Sequence, residues 1–161
     1  MKRKNVQQAG FTIVELIIII SFFTVLFSLI SFNILRAQRT TSLTSVVNLL
    51  VADIKQQQLR AMVGDTAGED NIPSYGIHFL TDRYILFRGD SYDPASSSNF
   101  EVELPPDVVF GSYVSNSVIF SPLSGEIVSY PVGGVEIVLD NLNGAEEEVV
   151  EINKYGVIEQ N

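Results

Sequence analysis

Few side chains in this sequence are equipped for covalent or metal chemistry, and their spacing narrows the options further. Cysteine is absent and His78 is the sole histidine, which excludes disulfides, thiolate zinc sites, iron–sulfur clusters, a cysteine nucleophile and a multi-histidine metal centre within one chain. His78 falls inside an alternating run, where a half-buried structural imidazole is expected, and no G-x-S-x-G or comparable nucleophile setting accompanies it. Gly133-Gly134 is too short for a phosphate loop. Two acidic groups have the hard oxygen ligands that Ca²⁺ takes: Asp65 with Glu69 and Asp70, and Asp140 with Glu146, Glu147 and Glu148. Leu142 interrupts the EF-hand spacing, so both read as solvated loops; no metal, cofactor or catalytic residue is expected. What remains is Gly10-Phe11-Thr12-Ile13-Val14-Glu15, where a carboxylate enters an otherwise apolar run.

The element that must position Glu15 is defined by its lack of charge. After Lys2, Arg3 and Lys4 the chain is polar to Gly10, and from Phe11 to Leu35 it reads FTIVELIIIISFFTVLFSLISFNIL. Twenty uncharged residues separate Glu15 from Arg36; at ~1.5 Å per residue they span roughly 30 Å, the hydrocarbon thickness of a bilayer. A transmembrane helix is therefore expected over 11–35. Ser21, Thr24, Ser28, Ser31 and Asn33 are small and neutral, and the hydroxyls can bond to carbonyls of their own helix. A secretory signal peptide has a shorter apolar region, ~7–15 residues, and ends at a small-residue cleavage site; this run ends in Ile34, Leu35 and Arg36. The basic residues ahead of the helix favour a cytoplasmic N-terminus. An ionised Glu15 in hydrocarbon costs about 2.5–3.5 kcal/mol, so it calls for a partner or an escape to the interface.

Charge divides the chain at the same place. Residues 1–60 carry seven basic and two acidic side chains, and 61–161 carry three basic and seventeen acidic ones, so the net −9 is made of +5 and −14. Nucleic acid is not an expected partner of so acidic a domain, because phosphate recognition rests on clustered Lys and Arg.

Residues 2–30 resemble the prepilin leader of type IV pilins and type II secretion pseudopilins: a short basic leader ending in Gly10, then Phe11, then Glu15 as fifth residue of the processed chain, then a long apolar helix. The resemblance implies a leader over 1–10, cleavage between Gly10 and Phe11 by a membrane aspartic prepilin peptidase, and N-methylation of Phe11. It also implies filament assembly with other pilin or pseudopilin subunits on an inner-membrane assembly platform. Physical reasoning gives these residues compatible roles. Glycine leaves the scissile bond unobstructed, and Glu15 of one subunit can meet the amino terminus of a neighbour's Phe11, giving the carboxylate an opposite charge.

Beyond the apolar run, Leu43, Val46, Val47, Leu50 and Ile54 keep the spacing of one helical face, which predicts an amphipathic continuation over 36–63, weakest at 40–44 and stopped by Gly64 and Asp65. From 64 to 161 an acidic β-rich domain is expected, with strands at 75–80, 83–87, 100–104, 108–113, 117–120, 126–130, 135–139, 147–152 and 157–159. Thr81-Asp82 suits a hairpin turn, Asp140 to Gly144 suits a longer one, and 89–99 is the most loop-like stretch. Phe100, Val102 and Leu104 alternate with Glu101 and Glu103, giving that strand one buried and one wet face. The segments Val118-Ile119-Phe120-Ser121-Pro122-Leu123-Ser124-Gly125 and Val150 to Ile158 are similar to the closing sheet of minor pseudopilins of the H class and related minor pilins, with one extra residue between Pro122 and Gly125. There Pro122, Gly125 and Gly156 are expected to shape turns.

The expected fold class is α+β and pilin-like, a long N-terminal helix against a small antiparallel sheet domain. The expected function is that of a minor pilin or pseudopilin, single-pass in the inner (plasma) membrane, with its domain periplasmic or extracellular. The alternative is a membrane-anchored binding or adhesion domain that never polymerises.

Overall fold

The computed structural model describes residues 12–66, 68, 70–113, 115–143 and 146–160, with side chains of 29–42 outside that description. One helix, α1 (Ile13–Val63), precedes eight strands: β1 (Tyr75–Phe79), β2 (Arg83–Arg88), β3 (Phe100–Glu103), β4 (Val108–Tyr113), β5 (Ser117–Phe120), β6 (Val135–Asn141), β7 (Glu147–Ile152) and β8 (Ile158–Gln160). The chain is α+β and falls into two compact units, Met1–Gln38 and Arg39–Asn161.

In the first unit, α1 opens on Thr12, whose Oγ1 accepts the Glu15 N–H at 3.2 Å and whose carbonyl accepts the Leu16 N–H at 3.1 Å. This is N-cap geometry, satisfying donors that a first turn otherwise leaves unpaired. From Ile13 to Phe27 the large apolar side chains are exposed on all sides of the helix. The hydroxyls among them turn inward: Ser21 donates to the Ile17 carbonyl, Thr24 to that of Ile20 and Ser28 to that of Val25, each at 2.8 Å. Among the described residues no helix is long and apolar enough to cross a membrane. The span expected over 11–35 includes Phe11 and the side chains of 29–35, which lie outside them.

The second unit is built on the other end of α1. Leu43, Val46, Val47, Leu50, Val51, Ile54, Gln57 and Ala61 are buried along one stripe, the 3,4 spacing that turns successive residues toward one side. Leu50 and Ile54 are wholly buried, each worth about 1.5–3 kcal/mol in transfer from water. The helix stops at a Schellman motif. The Asp65 N–H bonds to the Arg60 carbonyl at 3.0 Å and the Gly64 N–H to the Ala61 carbonyl at 3.1 Å, with Gly64 at φ +66°.

Two four-stranded antiparallel sheets complete the core, ordered β3-β2-β1-β5 and β4-β6-β7-β8. The first centres on β1, buried on both faces except at His78; the second shows the period-two pattern, with Val135, Ile137 and Leu139 of β6 and Val150 and Ile152 of β7 turned inward. Phe79, Phe110 and Tyr84 meet edge to face between the sheets.

Four expectations change. There are two sheets rather than one. Residues 126–130 form no strand: Ile127 makes a single bridge to Phe120, its N–H bonds to the Lys154 carbonyl, and Ser129 at φ 55° turns the chain away. Asp140 and Asn141 belong to β6, so the loop begins later than expected. Phe100, expected inward, is 65% exposed at the start of edge strand β3.

Candidate functional site

Gly10 and Phe11, the expected cleavage and methylation residues, lie outside the described residues. Glu15 occupies the first turn of α1, where a carboxylate interacts favourably with the positive end of the helix dipole. Thr12 and Glu15 together have the T-x-x-E spacing of a capping box, a signal present in the sequence that accounts for the local position of Glu15.

His78 sits in β1 opposite Ser117 of β5, with Nδ1 2.8 Å from the Ser117 hydroxyl. Its ring stacks on Tyr92 at 4.0 Å between centroids, and Phe87 meets that tyrosine edge to face at 5.7 Å. Burial lowers its pKa below the usual imidazole value. The imidazole is thereby a pin for the 89–99 segment, which is folded against the sheet and not a free loop. Asp93 organises that segment further, accepting from the Ala95 N–H at 2.9 Å and, through its carbonyl, from the Asn99 amide at 2.8 Å.

Among the described residues no three of His, Cys, Asp and Glu gather as metal ligands. Asp65 faces Arg60 at 3.4 Å, Asp140 is half-buried in β6, and Glu69 lies outside the description.

The two turns singled out by sequence converge on one residue of α1. Gln58 donates from Nε2 to the Gly125 carbonyl at 3.1 Å and to the Tyr155 carbonyl at 2.8 Å, holding the Pro122–Gly125 turn and the β7–β8 turn on the helix. The Leu123 N–H adds a bond to the Ala61 carbonyl at 2.8 Å. A Cβ on Gly156, at φ +77°, would overlap the Gln58 amide, and one on Gly125 would overlap Met62. These glycines serve close approach to the helix as well as turn geometry.

A cleft of about 360 Å³ opens between α1 and the β1–β2 hairpin, bordered by Asp53, Gln57, Arg60, Arg88, Ser98 and Phe100. Asp53 is held by Tyr84, which donates to its Oδ2 at 2.6 Å. Sequence reasoning passed over Gln57, although a signal was there: it lies three residues after Ile54 and seven after Leu50, a polar residue on the apolar row.

Comparison with protein-family models, with curated proteins and with solved structures gives no match.

Proposed function

We propose that this chain is a minor pilin or pseudopilin: a precursor cut between Gly10 and Phe11 by a prepilin peptidase, methylated on the new Phe11 amino group, and assembled through its N-terminal helix into a type IV pilus or type II secretion filament. The observation that carries this reading is the apolar helix of 13–28. Twelve large apolar side chains, from Ile13 to Phe27, are exposed on every side of it, and Glu15 is its one charge, set just behind Gly10-Phe11. At about 1.5–3 kcal/mol for each such side chain taken out of water, this surface needs lipid in the precursor and neighbouring helices in the filament. The hydroxyls bonded to their own helix suit both settings.

On this reading the fold is pilin-like, with 11–35 as transmembrane and then filament-core helix and 36–63 as its amphipathic continuation. The precursor sits in the inner (plasma) membrane with its N-terminus cytoplasmic and its acidic domain periplasmic or extracellular. Its partners are the peptidase, other subunits, the inner-membrane assembly platform and the membrane. Its role is structural, not enzymatic, and involves neither cofactor nor nucleic acid.

A second reading, a membrane-anchored binding or adhesion domain that does not polymerise, is favoured by the place of Glu15 in the first turn of α1, where the positive end of the helix dipole stabilises a carboxylate without any neighbouring subunit. Coexpression with a prepilin peptidase separates the two. Conversion to a faster-migrating form, abolished by Gly10→Val, supports the filament subunit; a chain that stays uncut supports the anchor.

A further inference from the structure

We propose that the cleft between α1 and the β1–β2 hairpin binds a carboxylate that carries an N–H donor on the neighbouring carbon, the chemistry presented by a peptide C-terminus or a free α-amino acid. Three features of the cleft fit this chemistry.

The first is a buried acceptor. Gln57 is 2% exposed, yet its Oε1 has no hydrogen-bond partner among the described residues. A polar atom in that position is costly unless a donor reaches it. Gln57 lies on the apolar row of α1 and borders the cleft, while its Oε1 is sealed from solvent; a turn of the side-chain amide toward the cleft would let an N–H brought by an occupant relieve it.

The second is positive charge where the domain has little. Residues 39–161 carry six basic side chains against eighteen acidic ones. Of the basic ones, Arg60 and Arg88 both border the cleft. Burial and then Asp65 push the Tyr75 hydroxyl's pKa up while Arg60 and Arg88 pull it down, which sets both guanidinia within electrostatic reach of one phenol. Arg60 is steadied by Asp65 at 3.4 Å and by the Tyr75 ring at 5.4 Å. Each guanidinium has five N–H donors, so a contact within the protein leaves others for a carboxylate, which matches the planar fork.

The third feature selects among anions. Asp53 also borders the cleft, with one oxygen held by Tyr84. A carboxylate there repels a multiply charged anion such as phosphate and tolerates a monoanion with a hydrogen-bond donor. Exposed Phe100 at the rim offers an apolar surface for the side chain of a terminal residue, and a volume of about 360 Å³ lies within the usual range of small-ligand sites.

The test uses the full chain in detergent micelles and fluorescence anisotropy of a peptide labelled at its N-terminus and ending in Ala-Leu. The free acid should bind saturably, the C-terminal amide of the same peptide at least tenfold more weakly, and Arg88→Gln and Gln57→Met should each weaken the acid severalfold while circular dichroism stays unchanged. Competition by free leucine identifies an amino-acid site; competition by acetyl-Ala-Leu but not by leucine identifies a chain-terminus site. The proposal is overturned by absence of binding at millimolar peptide, by equal binding of acid and amide, by affinity indifferent to both substitutions, or by inorganic phosphate competing as well as the acid.

Discussion

Gln58 is the residue through which two distant turns are attached to α1, and that attachment can be measured with a double-mutant cycle. Its amide donates to the Gly125 and Tyr155 carbonyls at 3.1 and 2.8 Å. Both bonds are at most partly buried, so each contributes about 0.5–1 kcal/mol net, and Gln58→Ala should cost about 1–2 kcal/mol. Gly156→Ala acts twice. At φ +77° an alanine is strained by roughly 1 kcal/mol, and its Cβ would displace the Gln58 amide, removing the same two bonds. The expected cost is thus about 2–3 kcal/mol in the native background, but only the strain of about 1 kcal/mol when Gln58 is already alanine. The coupling of about 1–2 kcal/mol is the signature of the shared mechanism. Urea denaturation of the full chain in micelles, followed by tyrosine near-ultraviolet circular dichroism, reads all four variants, provided the slope with denaturant stays constant. Additive costs within about 0.3–0.5 kcal/mol would refute the reasoning, since Gly156 would then act through its backbone alone.

Tyr84→Phe should destabilise the second unit by about 1.5–3 kcal/mol, because a buried hydroxyl bonded to the Asp53 carboxylate at 2.6 Å is lost; a midpoint equal to that of the native chain would show that Asp53 finds another donor. Burial holds the His78 pKa below its ordinary value in the folded chain, so the unfolded chain binds the proton more tightly. The stabilising contribution is full above about pH 6.5 and is withdrawn as pH falls through the folded value. His78→Gln should therefore reduce the loss of stability between pH 7 and pH 5, and identical pH slopes for the two chains would contradict this. Glu15→Ala should leave membrane fractionation intact and sharply lower the yield of sheared filament; normal incorporation would remove the proposed role of Glu15 in assembly.

The attachment surface of α1 was legible in part. Leu43, Val46, Val47, Leu50 and Ile54 announce a buried face because a helix returns every third or fourth side chain to one side, and all five are buried. Gln57 extends that row, but a periodicity reading looks for apolar matches, and a polar residue simply ended the pattern. The cleft that it borders needs residues from α1, β1, β2 and β3 together, and no sequence spacing relates them. Residues 126–130 illustrate the opposite error. Ile127, Val128 and Tyr130 have strand-forming side chains, yet Ser129 turns at φ 55° and the segment contributes one bridge, because the chain is crossing there from one sheet toward the other. Phe100 obeyed the alternation in type but not in burial, since it lies at the open rim of the cleft with no element over it.

By itself, the sequence determined whatever depends on local pattern: the uncharged run after Glu15, the division of charge at residue 60, the stop at Gly64, and eight of the segments that pair into strands. Periodicity and φ preferences act within a few residues, so they can be read in order along the chain. Tertiary structure alone decided that the strands part into two sheets, that the turns at Gly125 and Gly156 meet on Gln58, and that Arg60 and Arg88 face one cleft in an acidic domain. Those outcomes depend on which distant groups exclude water from each other, and that is fixed only when the helix stripe and both sheets close on a common core.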